Sequence, residues 1–220
     1  MSMAKTLFGN PLVVISPEYC VPHHLQISIK KKVYFLTSHG YEVKDVVNGK
    51  ILFKVENIPT FFNSKIVVYD PAGNSILTLR RKAFTWRTGW KVYRGESKEE
   101  KDLIFSARTS SAFQFTTNLD VFLAGNTSEQ ICDYKMKTSY AQSTCDIYVK
   151  PSSTLIAEMK KKVTAGSIFL GKDNFMVTLQ PNVDQAFIVA LIVILEEIVD
   201  SRRRNNHSSH HHHTAHHHCT

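Results

Sequence analysis

The sequence predicts a mainly β chain: a closed antiparallel barrel of many strands wrapped around one hydrophobic C-terminal helix. Three observations carry this. From about residue 11 to residue 180, short runs of alternating apolar and polar residues are broken by turn residues, the period-two pattern of strands with one dry and one wet face. Residues 183–200 hold no turn residue, and 186–195 are apolar on every side; a helix apolar all round must be buried all round. The remaining chain offers only strands to bury it, and a sheet curled into a barrel supplies an apolar interior while removing its own edges. A sandwich with the helix packed across one end is the alternative. It leaves one face of 186–195 in water.

The predicted strands are 25–29, 41–47, 51–55, 65–69, 75–79, 90–93, 102–107, 120–124, 145–149, 154–160 and 174–179. The breaks between them carry hairpin chemistry. Val47-Asn48-Gly49-Lys50 places Asn-Gly where a two-residue primed turn needs positive φ at both positions. The turn at residues 69–74 combines Pro71, which sets φ, with Gly73, which is free to enter the left-handed region. Residues 149–154 and 171–174 read the same way. The helix is predicted over 183–200, with Asn182 and Gln185 as a capping box and Asp184 in the first turn. Burying its ten apolar positions contributes about 15–30 kcal/mol before the entropy of ordering is subtracted.

The chain has 220 residues and is 43% hydrophobic, enough for a sizeable core. No Pro/Ser-rich linker divides it. The expected organisation is a flexible N-terminus over 1–10, one domain over 11–200, and a disordered Arg/His-rich tail over 201–220. The longest uninterrupted apolar run is ten residues, against about 20 for a spanning helix, which excludes an ordinary transmembrane protein. The N-terminal residues show neither the apolar stretch nor the cleavage site of a secretory signal. An intracellular chain with thiol cysteines is therefore expected, and Cys20, Cys132, Cys145 and Cys219 have no zinc-site spacing. The sequons at Asn126 and Asn206 are read as chance matches. The formal charge is +8, which speaks for anionic partners and is silent on fold.

Several stretches together resemble a known family. Residues 43–55 (VKDVVNGKILFKV), 69–74 (YDPAGN), 90–96 (WKVYRGE) and 181–195 (PNVDQAFIVALIVIL) are similar, in order, to the plant LURP-one-related family, a relative of the tubby C-terminal domain and of the phospholipid scramblases. The resemblance spans about residues 11–200. It implies a tubby C-terminal-domain-like fold of about twelve strands around a central helix, a role in plant basal defence, and, through the tubby relatives, phosphoinositide binding and membrane-tethered regulation. It transfers no individual site residue.

Four features bear on chemistry. Arg80, Arg81, Lys82, Arg87, Lys91 and Arg94 form a basic segment. Arginine forks and lysine point charges suit phosphate oxygens, and Trp86 and Trp90 suit a membrane interface. On a continuing strand, Arg80 and Lys82 share a face and Arg81 takes the other. The plainer reading is a solvated strand end with tryptophans in the barrel wall. Lys30-Lys31-Lys32 and Lys160-Lys161-Lys162 are either polybasic contacts for an anionic leaflet or edge-protecting lysines. The tail holds His210, His211, His212, His213, His216, His217 and His218, a weak metal-binding candidate whose geometry nothing fixes. Among catalytic signatures, no nucleophile elbow, phosphate loop or His-Glu-x-x-His occurs.

The expectation is a non-catalytic module without cofactor, cytoplasmic and peripheral at the plasma membrane or nuclear. It is expected to be monomeric and to bind anionic membrane lipid, a phosphoinositide, through the Arg80–Arg94 segment. The alternative is a protein-interaction scaffold with its own unidentified partners. Non-specific nucleic-acid binding ranks third, because no recognition helix or RNA platform is present.

Overall fold

The computed structural model of the chain describes residues 9–35, 38–59, 65–82, 89–110, 116–139, 143–162 and 174–211. Twelve strands follow one another: β1 Leu25–Phe35, β2 Ser38–Asp45, β3 Ile51–Ile58, β4 Lys65–Tyr69, β5 Ser75–Arg81, β6 Gly89–Arg94, β7 Leu103–Thr109, β8 Leu119–Leu123, β9 Tyr134–Thr138, β10 Thr144–Val149, β11 Thr154–Lys162 and β12 Asn174–Leu179. Among the described residues one α-helix, α1, spans Gln185–His211. Every strand pairs antiparallel with its sequence neighbours, and β12 returns to β1 with Leu25 opposite Leu179, Ile27 opposite Val177 and Ile29 opposite Phe175. The sheet therefore closes into a barrel. Among the described residues every strand has a partner on both sides, so closure removes the open sheet edge that invites aggregation.

The alternation read from the sequence decides which side chains fill the barrel. Ile27 and Ile29 of β1, Val43 of β2, Val55 of β3, Leu77 and Leu79 of β5, Phe105 of β7 and Ile147 of β10 point inward and are buried. α1 runs through the interior they create, and every residue from Val183 to Val199 is buried. Phe187 packs edge-on to Phe105, with ring centroids 5.2 Å apart, and lies 4.7 Å from the Tyr134 ring. The barrel rather than the sandwich is the answer to a helix without a wet face.

Four details differ from the sequence reading. β9, the pentapeptide YKMKT, is absent from the predicted strands, yet Tyr134 and Met136 point inward while Lys137 is exposed. The β2–β3 connection is a five-residue loop rather than a two-residue turn, and Gly49 alone takes positive φ, at +71°. Asp45 sets this geometry by accepting hydrogen bonds from Val47 N and Asn48 Nδ2 at 2.8 and 2.7 Å, an Asx-type turn that competes with the tighter hairpin. Asn182 is not the cap; it sits at φ +61° before the helix.

The cap is Asp184, fully buried, whose Oδ1 accepts from Phe187 N at 3.2 Å, three residues on. Its Oδ2 accepts from Val14, Ile15 and Ser16 N at 3.2, 2.6 and 3.2 Å. One carboxylate thus starts the helix and pins an N-terminal strap across the barrel end. Leu12 N also donates to Asn182 O, at 2.7 Å.

The fourth difference is the end of α1. Residues 201–211, expected as part of the tail, continue the helix. No Gly or Pro interrupts them, and Arg202–Arg204 extend past the barrel where cations favour a helix C-terminal half. At the exit Glu197 meets His39, Oε1 to Nε2 at 2.7 Å, and Asp200 pairs with Lys31. Arg202 donates to Thr117 Oγ1 at 2.7 Å. The expected flexible N-terminus falls mostly on residues 1–8, and most of the His-rich tail on 212–220; both lie outside the described residues.

Candidate anion-binding site

Among its described residues, the basic segment expected as the phosphate site is spread over more than one place on the barrel. Arg80 and Lys91 face each other across β5 and β6, and Arg80 is also opposite Lys65 of β4. These three lie on the outer wall, because Leu79 and Val92 beside them are buried inward. Two of the three are already engaged. The β6–β7 loop folds back over the wall, where Glu96 pairs with Lys65 and Glu100 with Lys91. The Glu100 carboxylate holds the Lys91 ammonium above the ordinary lysine range. Arg81 and Lys82 are exposed at one end of β5. Arg94 is at the far end of β6 and donates to Ile15 O in the strap, at 3.3 Å. It borders a different cleft of about 320 Å³ with Val13, Lys101 and Asp102. Trp90 is 3% exposed, so it belongs to the core and not to a membrane interface. Arg87 and Trp86 lie outside the described residues.

The two lysine triplets behave differently. They are separated by about 130 positions in the sequence, yet barrel closure places them on adjacent strands around β12. Asn174 is opposite Lys30 on one side and opposite Lys162 on the other. Neighbouring strands lie about 4.8 Å apart, so the Cα atoms of these two lysines are within about 10 Å. Strand alternation splits each triplet. Lys31 turns inward to Asp200, and Lys161 lies over the Phe175 ring at 5.6 Å. Lys30, Lys160 and Lys162 stay exposed on the outer wall.

Lys30 and Lys162 border a groove of about 380 Å³ lined also by Lys44, Asp45, Asn174, Met176 and the edge of the β2–β3 loop. Asp45 lines the groove, and Glu42 is a second carboxylate on this stretch of wall, opposite Lys30 across β1 and β2. Glu42 is held by Lys44 at 3.1 Å and Lys32 at 3.5 Å, and the Lys44 ammonium, aided by Lys32, lowers its pKa below the ordinary value of 4.5. Among the described residues, Lys30, Lys160 and Lys162 have no carboxylate partner. Two such ammonium groups bordering one groove, with Lys160 nearby on the same face of β11, suit a polyanion that spreads its charge over several oxygens. The signal in the sequence was the triplets themselves; their convergence depends on β1 meeting β12, which no local pattern encodes.

The other reactive side chains are quiet. Burial pushes the Cys20 thiol up to about 11 and raises Cys145 as well, so neither is a thiolate nucleophile near neutral pH. Among the described residues no group of three or more His, Cys, Asp or Glu could hold a metal ion. The backbone of His210 and His211 is helical, and His212, His213, His216, His217 and His218 lie outside the described residues. Among the described residues no helix is long and apolar enough to cross a membrane.

A family model described as LURP-one-related matches residues 25–196, from the first strand through the buried part of the helix. The chain belongs to the LURP-one-related family. Protein LURP-one-related 15 of Arabidopsis thaliana is 41% identical over 181 residues, covering 82% of this chain and 83% of that one. Protein LURP-one-related 10 of the same plant is 42% identical over 183 residues, covering 83% and 94%. The X-ray structure of an Arabidopsis thaliana protein superposes with a TM-score of 0.65 at 34% identity, covering 84% of this chain and 98% of that one. The barrel around a helix is thus the architecture of a LURP-one-related protein, and the strap and the protruding end of α1 lie outside the matched region.

Proposed function

We propose that this LURP-one-related barrel is a non-catalytic module that attaches to anionic, phosphoinositide-bearing membrane through its outer wall and acts there as a tethered regulator in plant defence or signalling. The observation that carries the reading is the Lys30–Asn174–Lys162 row, which gathers unpaired lysines from both ends of the chain beside one groove. The net charge of +8 supports it at long range. The arginine segment expected from sequence becomes a secondary contact, with Arg80 as its member between two lysines already held by glutamates.

The test is co-sedimentation with phosphatidylcholine vesicles, with and without phosphatidylinositol bisphosphate, using a chain that lacks residues 212–220 so that polyhistidine cannot mimic a site. Each lysine near an anionic leaflet contributes about 1 kcal/mol, or roughly fivefold in affinity. Lys30→Ala with Lys162→Ala should therefore weaken binding roughly 25-fold. Arg80→Ala should weaken it less. The reverse ranking would move the site to the β5–β6 face, and no binding by the parent chain at physiological salt would reject the reading.

A further inference from the structure

Among the described residues the large apolar side chains are mostly buried or partly buried; those that stand exposed are Val13, Val46, Val47 and Ile131. Two of these are consecutive, and they stand at the rim of the lysine groove, which Val46 and Gly49 line together with Lys44 and Asp45. Val47 is 88% exposed and Val46 41%. At that exposure Val47 adds almost nothing to the core. Turn positions favour Gly, Asn, Asp, Ser or Pro, so two β-branched apolar residues at a loop tip fit neither the turn nor the core.

The tip is also pre-ordered. Val46 N donates to Gln26 O at 2.9 Å and Gly49 N to Asp45 O at 3.0 Å. Asp45 accepts from Val47 N and Asn48 Nδ2, and Lys50 N donates to Asn48 Oδ1 at 2.8 Å. The polar groups of the loop are thus spent on one another. A tip that is already ordered loses little conformational freedom on docking.

We propose that Val46 and Val47 form a wedge that enters the headgroup–acyl boundary of an anionic bilayer, while Lys30 and Lys162 engage the phosphates above it. This rests on the membrane reading given above and names how the same face seats. A bilayer fits the dimensions better than a protein partner does. A stable protein interface needs a buried patch of roughly 800 Å² per side with an apolar centre, and two valines flanked by lysines do not supply one. A membrane needs only a small apolar anchor added to a basic patch, two weak signals that together give stable attachment. The lysine groove supplies one signal and the loop tip the other.

Three arms test the wedge. In the first, Val47→Trp is bound to phosphatidylcholine vesicles doped with phosphatidylinositol bisphosphate and with acyl-chain-brominated lipid. Its emission should shift to the blue and be quenched beyond that of the parent chain. In the second, the neutral variant Val46→Ser with Val47→Ser should lower vesicle partitioning by roughly a hundredfold, about tenfold for each valine. In the third, the affinity of that double variant for soluble inositol hexakisphosphate should stay within about twofold of the parent, which shows that the fold and the lysine groove survive. If the Val47→Trp variant binds vesicles but its added indole is not quenched, or if the serine variant partitions unchanged, the wedge is overturned and the lysine site is left standing. A parent chain that binds the soluble polyphosphate but no vesicle also overturns the wedge, and the membrane reading with it. Failure to bind either probe overturns the lysine site as well.

Discussion

At the scale of single residues, Asp184 and Glu42 show two opposite uses of a carboxylate. Asp184 is fully buried and accepts four backbone N–H groups from two segments about 170 positions apart. Burial pushes its carboxyl above the ordinary range against the pull of those donors. Replacing it with alanine leaves the donors unsatisfied, each buried one costing about 1–3 kcal/mol. Asp184→Ala should therefore lose about 3 kcal/mol or more of stability, read as a fall in the urea midpoint, with Asp184→Asn intermediate. Glu42 is a surface group whose folded pKa lies below its ordinary 4.5. The stability it contributes is present above the unfolded value and is lost as pH falls through the lower folded one. Glu42→Gln should flatten the stability profile in that acid range. By removing a carboxylate from the lysine wall it should also tighten inositol hexakisphosphate binding severalfold, a gain readable by calorimetry. Neither role was legible in the sequence. Asp184 was assigned to the first helical turn, correctly near the N-terminus, but its strap partners lie at the other end of the chain. Glu42 was one carboxylate among 19 acidic residues.

At the scale of elements, the periodic signal was strong where one side of a strand is dry, and it failed where a segment was short. β9 has only five residues, two of them lysine, and composition outweighed an alternation that was present. The β2–β3 loop shows the reverse: Asn48-Gly49 is the strongest hairpin signal available, and an aspartate three residues upstream redirected it. α1 was legible because no exposed environment tolerates residues 186–195. Its length was not, since nothing in 201–211 stops a helix or demands one. The helix is also where the fold is most sensitive. Phe187 sits between Phe105 and Tyr134 in close-packed surroundings, and Phe187→Ala should cost about 3–5 kcal/mol by chemical denaturation. A conservative Phe187→Leu should recover much of that loss.

At the scale of the whole molecule, barrel closure converts two ordinary lysine triplets into one face. The fold class could be argued from a helix that needed a container. The face could not, because it exists only once β12 lies beside β1. If the face works as proposed, attachment has two components with different physics. The lysine component is screened over about 8–10 Å at physiological salt, and the valine component is not. Vesicle binding by the parent chain should weaken with salt and level off at a residual value. The Val46→Ser/Val47→Ser chain should lose that remainder entirely, and flotation across a salt series separates the two.

The position of α1 in the chain has a consequence for biosynthesis. The staves of this cask are made first and its filling last. Until residues near 200 leave the ribosome, twelve strands' worth of inward-facing Ile, Val, Leu and Phe have nothing to close upon, and the final strand that seals the seam appears only just before the plug. Folding of the nascent protein therefore waits, in its decisive step, for β12 and α1 to be made; contacts between such distant segments form slowly, and the waiting chain is exposed to aggregation. A chain halted before α1 should be an unfolded client for chaperones rather than a smaller barrel, a difference that protease resistance would read.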